Sequence, residues 1–177
     1  AVSLSYNLPN VQQLKLTPKI LEGIFLGDIK KWNNTKIQEI NPDKSLPNLG
    51  IMTVHRSDGS GTTFIFSDYM SKISDIWLKN VGRGKAIQWP NGFGGKGNAG
   101  VAGLIQQTPG AIGYVSHIYA AQNNMDVALL ENKKGNFIAP SIEAVSLAAN
   151  TTIPNDTRAS ITNTAAEFGY PISGFTW

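Results

Sequence analysis

The chain has 177 residues, 41% of them hydrophobic, and a formal net charge of +3 on a background of only 15% charged residues. That suffices to bury one real core and argues against global disorder. The absence of cysteine excludes disulfides, thiolate catalysis and cysteine-held metal; no basic run exceeds Lys30-Lys31 or Lys133-Lys134, which disfavours nucleic acid, while the mild positive balance suits small anions.

Residues 1–8 alternate apolar and polar (Val2, Leu4, Tyr6, Leu8), the period of a strand, and Pro9 ends it. Thr17-Pro18 is a helix start with a hydroxyl cap and proline at the first position. Ile20, Leu21, Ile24 and Phe25 give that helix one apolar face, and Gly27 closes it. A turn around Trp32 leads to a short helix over 35–40, stopped by Asn41-Pro42.

Residues 50–55 read as a buried strand (Ile51, Met52, Val54), and a turn over 58–61 follows. From Thr62 onward Ile65, Phe66, Tyr69, Met70, Ile73, Ile76 and Trp77 recur at helical spacing, which predicts one long amphipathic helix. The glycine-rich stretch 81–100 reads as a long ordered loop, with Asn98 capping a helix that runs to Gln107. That helix turns Val101, Leu104 and Ile105 inward. A strand over 111–116 and a short helix to Asn124 come next. Two strands, 127–130 and 136–138, are joined by a Lys-Lys-Gly turn. Ser141 caps a helix expected to bury Ile142, Val145, Ala148 and Ala149. A weaker helix is expected over 156–168, then an extended segment over 171–177. Strands alternate with helices throughout, so the pattern predicts an α/β sheet with helices on both faces. No run reaches the roughly 18 apolar residues of a membrane span. Both ends are strand-like without polar tails and read as cut points in a larger fold.

The chemistry concentrates in residues 54–63, Val-His-Arg-Ser-Asp-Gly-Ser-Gly-Thr-Thr, at a strand–turn–helix junction. A helix start offers amides without intrahelical partners and partial positive charge, which together suit an oxyanion. Gly59 and Gly61 let backbone come close to a ligand. Ser60, Thr62 and Thr63 offer hydroxyls, and Arg56 can donate a bidentate pair. Asp58 is placed to orient and partly neutralise Arg56. A turn with a simple helix cap explains the same residues except Arg56, which a cap does not need.

Arg56-Ser-Asp-Gly-Ser-Gly-Thr62 resembles the signature of the phosphate-binding proteins of bacterial ABC phosphate importers. Leu26-Gly-Asp-Ile-Lys-Lys-Trp-Asn33, Trp89-Pro-Asn-Gly-Phe-Gly-Gly-Lys-Gly-Asn98, Pro109-Gly-Ala-Ile-Gly-Tyr-Val115 and Tyr170-Pro-Ile-Ser173 are similar to flanking segments of that family, in the same order. The resemblance implies one lobe of a type II periplasmic-binding fold, built on a central mixed, mostly parallel sheet. Residues 1–177 would be a single domain equivalent to the second lobe, with 1–8 and 171–177 as the inter-lobe crossover segments. It implies that Arg56, Ser60, Gly61 and Thr62 contact phosphate, Ser60 and Thr62 through hydroxyls and Gly61 through its N–H. It further implies that Asp58 salt-bridges the arginine. A missing first lobe would add further donors and an acid that senses the ligand's proton. The implied partners are inorganic phosphate and the membrane subunits of an ABC permease, at the periplasmic or extracellular face of the cell membrane.

Other readings are weaker. Gly95-Lys-Gly-Asn-Ala-Gly100 fits the dinucleotide pattern G-x-G-x-x-G, but no buried strand is expected before it. Ser60 lacks the G-x-S-x-G elbow of a hydrolase, and its base would have to be His55 or His117. His55 precedes Arg56 on a strand and so faces the other way. Two distant histidines do not make a metal site. Trp32, Trp77, Trp89 and Trp177 read as core or cleft-lining aromatics. The expected role is therefore binding of inorganic phosphate for uptake, without catalysis, cofactor or metal. A surface or signalling relative and a hydrolase on the same scaffold are the alternatives.

Overall fold

The computed structural model describes residues 1–150 and 159–174. In chain order the strands are β1 (Val2–Tyr6), β2 (Lys15–Leu16), β3 (Met52–Arg56), β4 (Phe93–Gly95), β5 (Ala111–Ser116), β6 (Leu129–Glu131) and β7 (Phe137–Ile138). The helices are α1 (Pro18–Leu26), α2 (Thr35–Ile40), α3 (Gly61–Ile73), α4 (Asp75–Asn80), α5 (Gly97–Gln107), α6 (His117–Gln122) and α7 (Ile142–Ala149). Hydroxyl and amide side chains start many of them: Thr17 accepts from Ile20 N–H, Asn34 from Lys36 N–H and Ser141 from Ala144 N–H.

The main sheet runs β1-β5-β3-β4, with β5, β3 and β4 parallel and β1 antiparallel to β5. It is mixed and mostly parallel, as expected. Alternation along β5 divides the core. Ile112 and Tyr114 join Leu4, Phe66, Tyr69 and Met70 on the α3 side, whereas Ala111 and Val115 join Val54, Val101 and Ile105 on the α5 side. Helices therefore cover both faces. A second sheet, β2-β6-β7, was not anticipated as a unit, because β2 is only two residues long and its parallel partner β6 lies far along the chain.

Four local expectations are corrected. The long helix breaks at Ser74, whose backbone is extended (φ −143°, ψ 114°) and whose Oγ accepts from Trp77 N–H at 2.9 Å, so the serine starts α4 instead of continuing α3. The break leaves Ile76 exposed while Trp77 is fully buried. Asn98 does not cap α5; its Oδ1 accepts from Ser116 N–H at 3.0 Å. Ile142 is 86% exposed, and α7 buries Ala144 in its place alongside the expected Ala148. Residues 159–168 form no helix, because their backbone is held by other parts of the chain. Asn132 and Asn136 Nδ2 both donate to Glu167 O, and Asn163 N–H donates to Pro171 O. The remainder of that expected helix, 156–158, and Trp177 lie outside the described residues. Val2 N–H donates to Ile172 O at 3.0 Å and the Ala1 amino group to Gly174 O at 3.2 Å, so residues 1–2 and 172–174 are neighbours.

Asp68, on the buried side of α3, fastens this irregular segment. Its carboxylate accepts from Ser160 Oγ (2.6 Å), Thr162 Oγ1 (2.5 Å) and Arg83 Nη1 (3.0 Å), and pairs with Lys72 Nζ at 3.1 Å. Burial pushes the carboxyl up, but the bonds from Ser160, Thr162 and Lys72 outweigh it and bring the pKa to about 2. A folded-state pKa below the ordinary value adds stability above that value, and this is lost as pH falls through about 2. The melting-temperature advantage of the native chain over Asp68→Asn is expected to shrink between about pH 4 and about pH 2. Thermal melts followed by circular dichroism test this, and a gap independent of pH would contradict it.

Candidate anion-binding site

Arg56 is the last residue of β3, and the side chain is 11% exposed. Two residues on, Asp58 reaches back to it. Arg56 Nε donates to Asp58 Oδ1 at 2.7 Å and Nη2 to Oδ2 at 2.5 Å, a parallel two-point pair. That pair raises the guanidinium pKa and holds the Asp58 carboxyl well below the usual carboxylate range. Asp58 Oδ1 also accepts from Gly97 N–H at 3.0 Å, which lowers it further. The fork uses one edge of the guanidinium, and its other N–H groups have no partner among the described residues.

The chain then turns into α3. Ser60 has extended backbone (φ −148°, ψ 134°), and its Oγ accepts from Thr62 N–H at 3.1 Å and Thr63 N–H at 3.3 Å. Its own N–H donates to Lys85 O at 2.8 Å, so the 82–86 loop fixes the cap. A hydroxyl that accepts twice still has its proton to donate. The Gly61 N–H has no protein partner among the described residues, and neither does the Thr62 hydroxyl. Ser60, Thr62 and Thr63 are buried, whereas Gly61 is half-buried. One rim thus carries a guanidinium edge, two hydroxyl donors and one unpaired amide at the positive end of a thirteen-residue helix.

Tyr114 supports this rim from below. Its hydroxyl accepts from Arg56 N–H at 3.1 Å and is 2.7 Å from Thr63 Oγ1, joining β5, β3 and the first turn of α3. Burial pushes its pKa up to about 12, so it remains a neutral phenol. Its ring stacks on Phe66 with centroids 4.6 Å apart, and Trp89 stacks in turn on His55 at 4.5 Å. Sequence reasoning assigned neither Tyr114 nor Gly97 to the site. Only the pairing of β3 with β5 and β4 brings them there.

His55 has its pKa lowered by burial, and its Nδ1 lies against Arg56 O at 3.1 Å. His117 Nδ1 lies 2.9 Å from Ser3 Oγ. Among the described residues neither histidine bonds Ser60, and no group of three His, Cys, Asp or Glu could hold a metal ion. A short strand, β4, ends on the first glycine of Gly95-Lys-Gly-Asn-Ala-Gly100 and α5 follows it, but Phe93 and Gly94 are exposed, so no buried strand precedes the motif. The first N–H of that helix is occupied by Asp58.

A family model described as "PBP superfamily domain" matches residues 1–177. The chain belongs to the PBP superfamily. It is 47% identical over 172 residues to the phosphate-binding protein PstS of Xylella fastidiosa (strain 9a5c), covering 94% of this chain and 47% of that protein. Its identity to the PstS of Methanocaldococcus jannaschii is 39%, covering 99% of this chain and 50% of that one. This PBP-superfamily chain thus spans about half the length of the relatives it matches. Its fold is shared with an ancestral soluble variant of the Human Phosphate Binding Protein, with a TM-score of 0.73 at 20% identity over 99% of this chain and 55% of that one. A high affinity periplasmic phosphate-binding protein (PfluDING) bound with phosphate gives a TM-score of 0.63 at 19% identity, over 99% of this chain and 53% of that one. The type II periplasmic-binding fold expected from the sequence is borne out. No helix among the described residues is long and apolar enough to cross a membrane.

Tyr114→Phe removes the acceptor of the Arg56 amide and the partner of Thr63 while keeping the stacked ring. It is expected to cost about 1–3 kcal/mol, measured by urea unfolding, because it leaves a half-buried amide unpaired. A loss below about 0.5 kcal/mol would show that the hydroxyl does not brace the rim.

Proposed function

We propose that this chain supplies one half of an interlobe binding site for inorganic phosphate, in a protein that captures phosphate for uptake through an ABC transporter. The observation that carries the reading is the Arg56 fork. Asp58 occupies one edge of the guanidinium at the end of β3, leaving the other for a ligand beside the start of α3. In this reading Arg56 donates charge-assisted bonds, Ser60 and Thr62 donate from hydroxyls, Gly61 donates its N–H, and Asp58 orients the arginine. Relatives at 39–47% identity are named phosphate-binding proteins, which supports phosphate over other oxyanions.

The same reading makes the chain a single domain, residues 1–177, equivalent to the second lobe. The adjacent segments at its two ends lead to a first lobe. That lobe supplies the remaining donors and the acid that senses the ligand's proton. Closure of the two lobes holds the ligand for delivery to the permease at the periplasmic or extracellular face of the membrane. Binding rather than turnover is the role, since Ser60 is engaged as a helix cap and has no histidine beside it.

Isothermal titration with inorganic phosphate tests the assignment. In the two-lobed protein, Arg56→Ala is expected to weaken binding by about 100-fold or more, since a two-point charged hydrogen bond is lost. Unchanged affinity would overturn the site. The chain alone is expected to bind only at roughly millimolar phosphate, with half of the ligands absent. Submicromolar affinity in the chain alone would overturn the half-site.

A further inference from the structure

The turn Gly95-Lys-Gly-Asn-Ala-Gly100 has no part in the function proposed above, yet its geometry converges on Asp58. Lys96, at the cap position of α5, offers the helix no side-chain hydrogen bond. The cap comes from a distant residue instead. Gly97 N–H, the first of α5, donates to Asp58 Oδ1 at 3.0 Å, the oxygen that also accepts from Arg56 Nε. One carboxylate therefore caps an eleven-residue helix and holds the guanidinium.

Two further features keep that amide in place. Gly97 has a left-handed backbone (φ 68°) with nothing within 4 Å of where a Cβ would stand, so the constraint there is conformational and not steric. At Gly95 the reverse holds. A Cβ would stand 2.5 Å from Val101 N and 2.6 Å from Gly100 C, so the end of β4 and the first turn of α5 meet backbone to backbone. Gly95 O in turn accepts from Ser57 N–H at 3.0 Å, between Arg56 and Asp58. The glycine turn and the Arg56–Asp58 segment are thus bonded on both sides of the ion pair.

A bare carboxylate two residues from an anion site repels the ligand. A helix N-terminus on its far side draws off part of that charge and fixes its direction. Taking phosphate as the ligand of the Arg56 rim, we propose that the glycine turn is a positioning device. The start of α5 holds Asp58, so that Asp58 steers the free edge of Arg56 toward phosphate while opposing it less. Gly97 is then a positioning residue for binding. The motif matches a dinucleotide fingerprint, but the amide that would meet a pyrophosphate already serves a carboxylate of the same chain.

Gly97→Val and Gly97→Asn in the phosphate-binding protein that contains this chain test the proposal. Asparagine adopts left-handed backbone readily and valine does not. Two readouts are taken: the calorimetric affinity for inorganic phosphate, and the exchange rate of the Arg56 Nε–H by NMR without phosphate. Gly97→Val is expected to weaken phosphate binding by about tenfold and to speed Nε–H exchange, whereas Gly97→Asn stays within about twofold of the parent in both. If the valine variant does not fold, Gly97→Ala carries the same expectation at a smaller fold-change. Arg56→Ala run alongside separates the failures. Affinity lost in Arg56→Ala but kept in Gly97→Val, with Nε–H exchange unmoved, overturns the positioning role alone. Affinity unmoved by Arg56→Ala overturns the phosphate reading of the rim, and positioning for phosphate with it.

Discussion

A guanidinium at the end of a half-buried strand needs a counter-charge, and in this chain Asp58 supplies it from two residues away. The pair occupies one edge of Arg56, and the proposed phosphate would meet the other. It also cancels the positive charge that would otherwise be left partly desolvated when no ligand is bound. The turn between β3 and α3 must let Asp58 fold back while Ser60 reaches forward to cap the helix. Gly59 and Gly61 flank that cap. The Gly97 amide then makes the pair a three-way junction of strand, turn and helix.

The order of the strands explains why these parts meet. β5, β3 and β4 are parallel, so their carboxyl ends share one rim, and each is followed by a helix that begins there. The chain leaves β3 through α3 on one face and crosses back from β4 to β5 through α5 on the other. Two helix N-termini therefore flank Arg56 from opposite faces. One keeps an amide with no partner among the described residues, and the other is filled by Asp58. Beneath them the layer of Phe66, Tyr114 and Trp89 is stiff and apolar, and its polar point at the Tyr114 hydroxyl meets Arg56 and Thr63.

Much of the fold was legible because its signals are local. Thr17-Pro18 and Ser141 start helices where their side chains can accept a nearby amide, and β1, β3 and β5 show their strand patterns. The misses have a common cause. The helical spacing runs on through Ser74, but its hydroxyl starts a new helix and turns Trp77 inward. Residues 159–168 have helical periodicity, yet Asp68, Lys72, Asn132 and Asn136 claim their polar groups. β4 is too short and too rich in glycine to announce itself, and it exists because β3 offers it an edge. In each case a partner distant in sequence outweighs a weak local preference.

The sequence by itself determined the inventory of the rim: a strand that ends at Arg56, an acid within reach, and a hydroxyl-capped glycine turn opening a helix. Those features depend on neighbours a few residues apart, where alternation and capping rules act. Only the tertiary structure decided that Asp58 would also cap α5, 39 residues away, and that Tyr114 would brace Arg56 from 58 residues away. Both contacts follow from placing β5 and β4 on either side of β3. That choice is made by burying both faces of one sheet, and no local pattern encodes it.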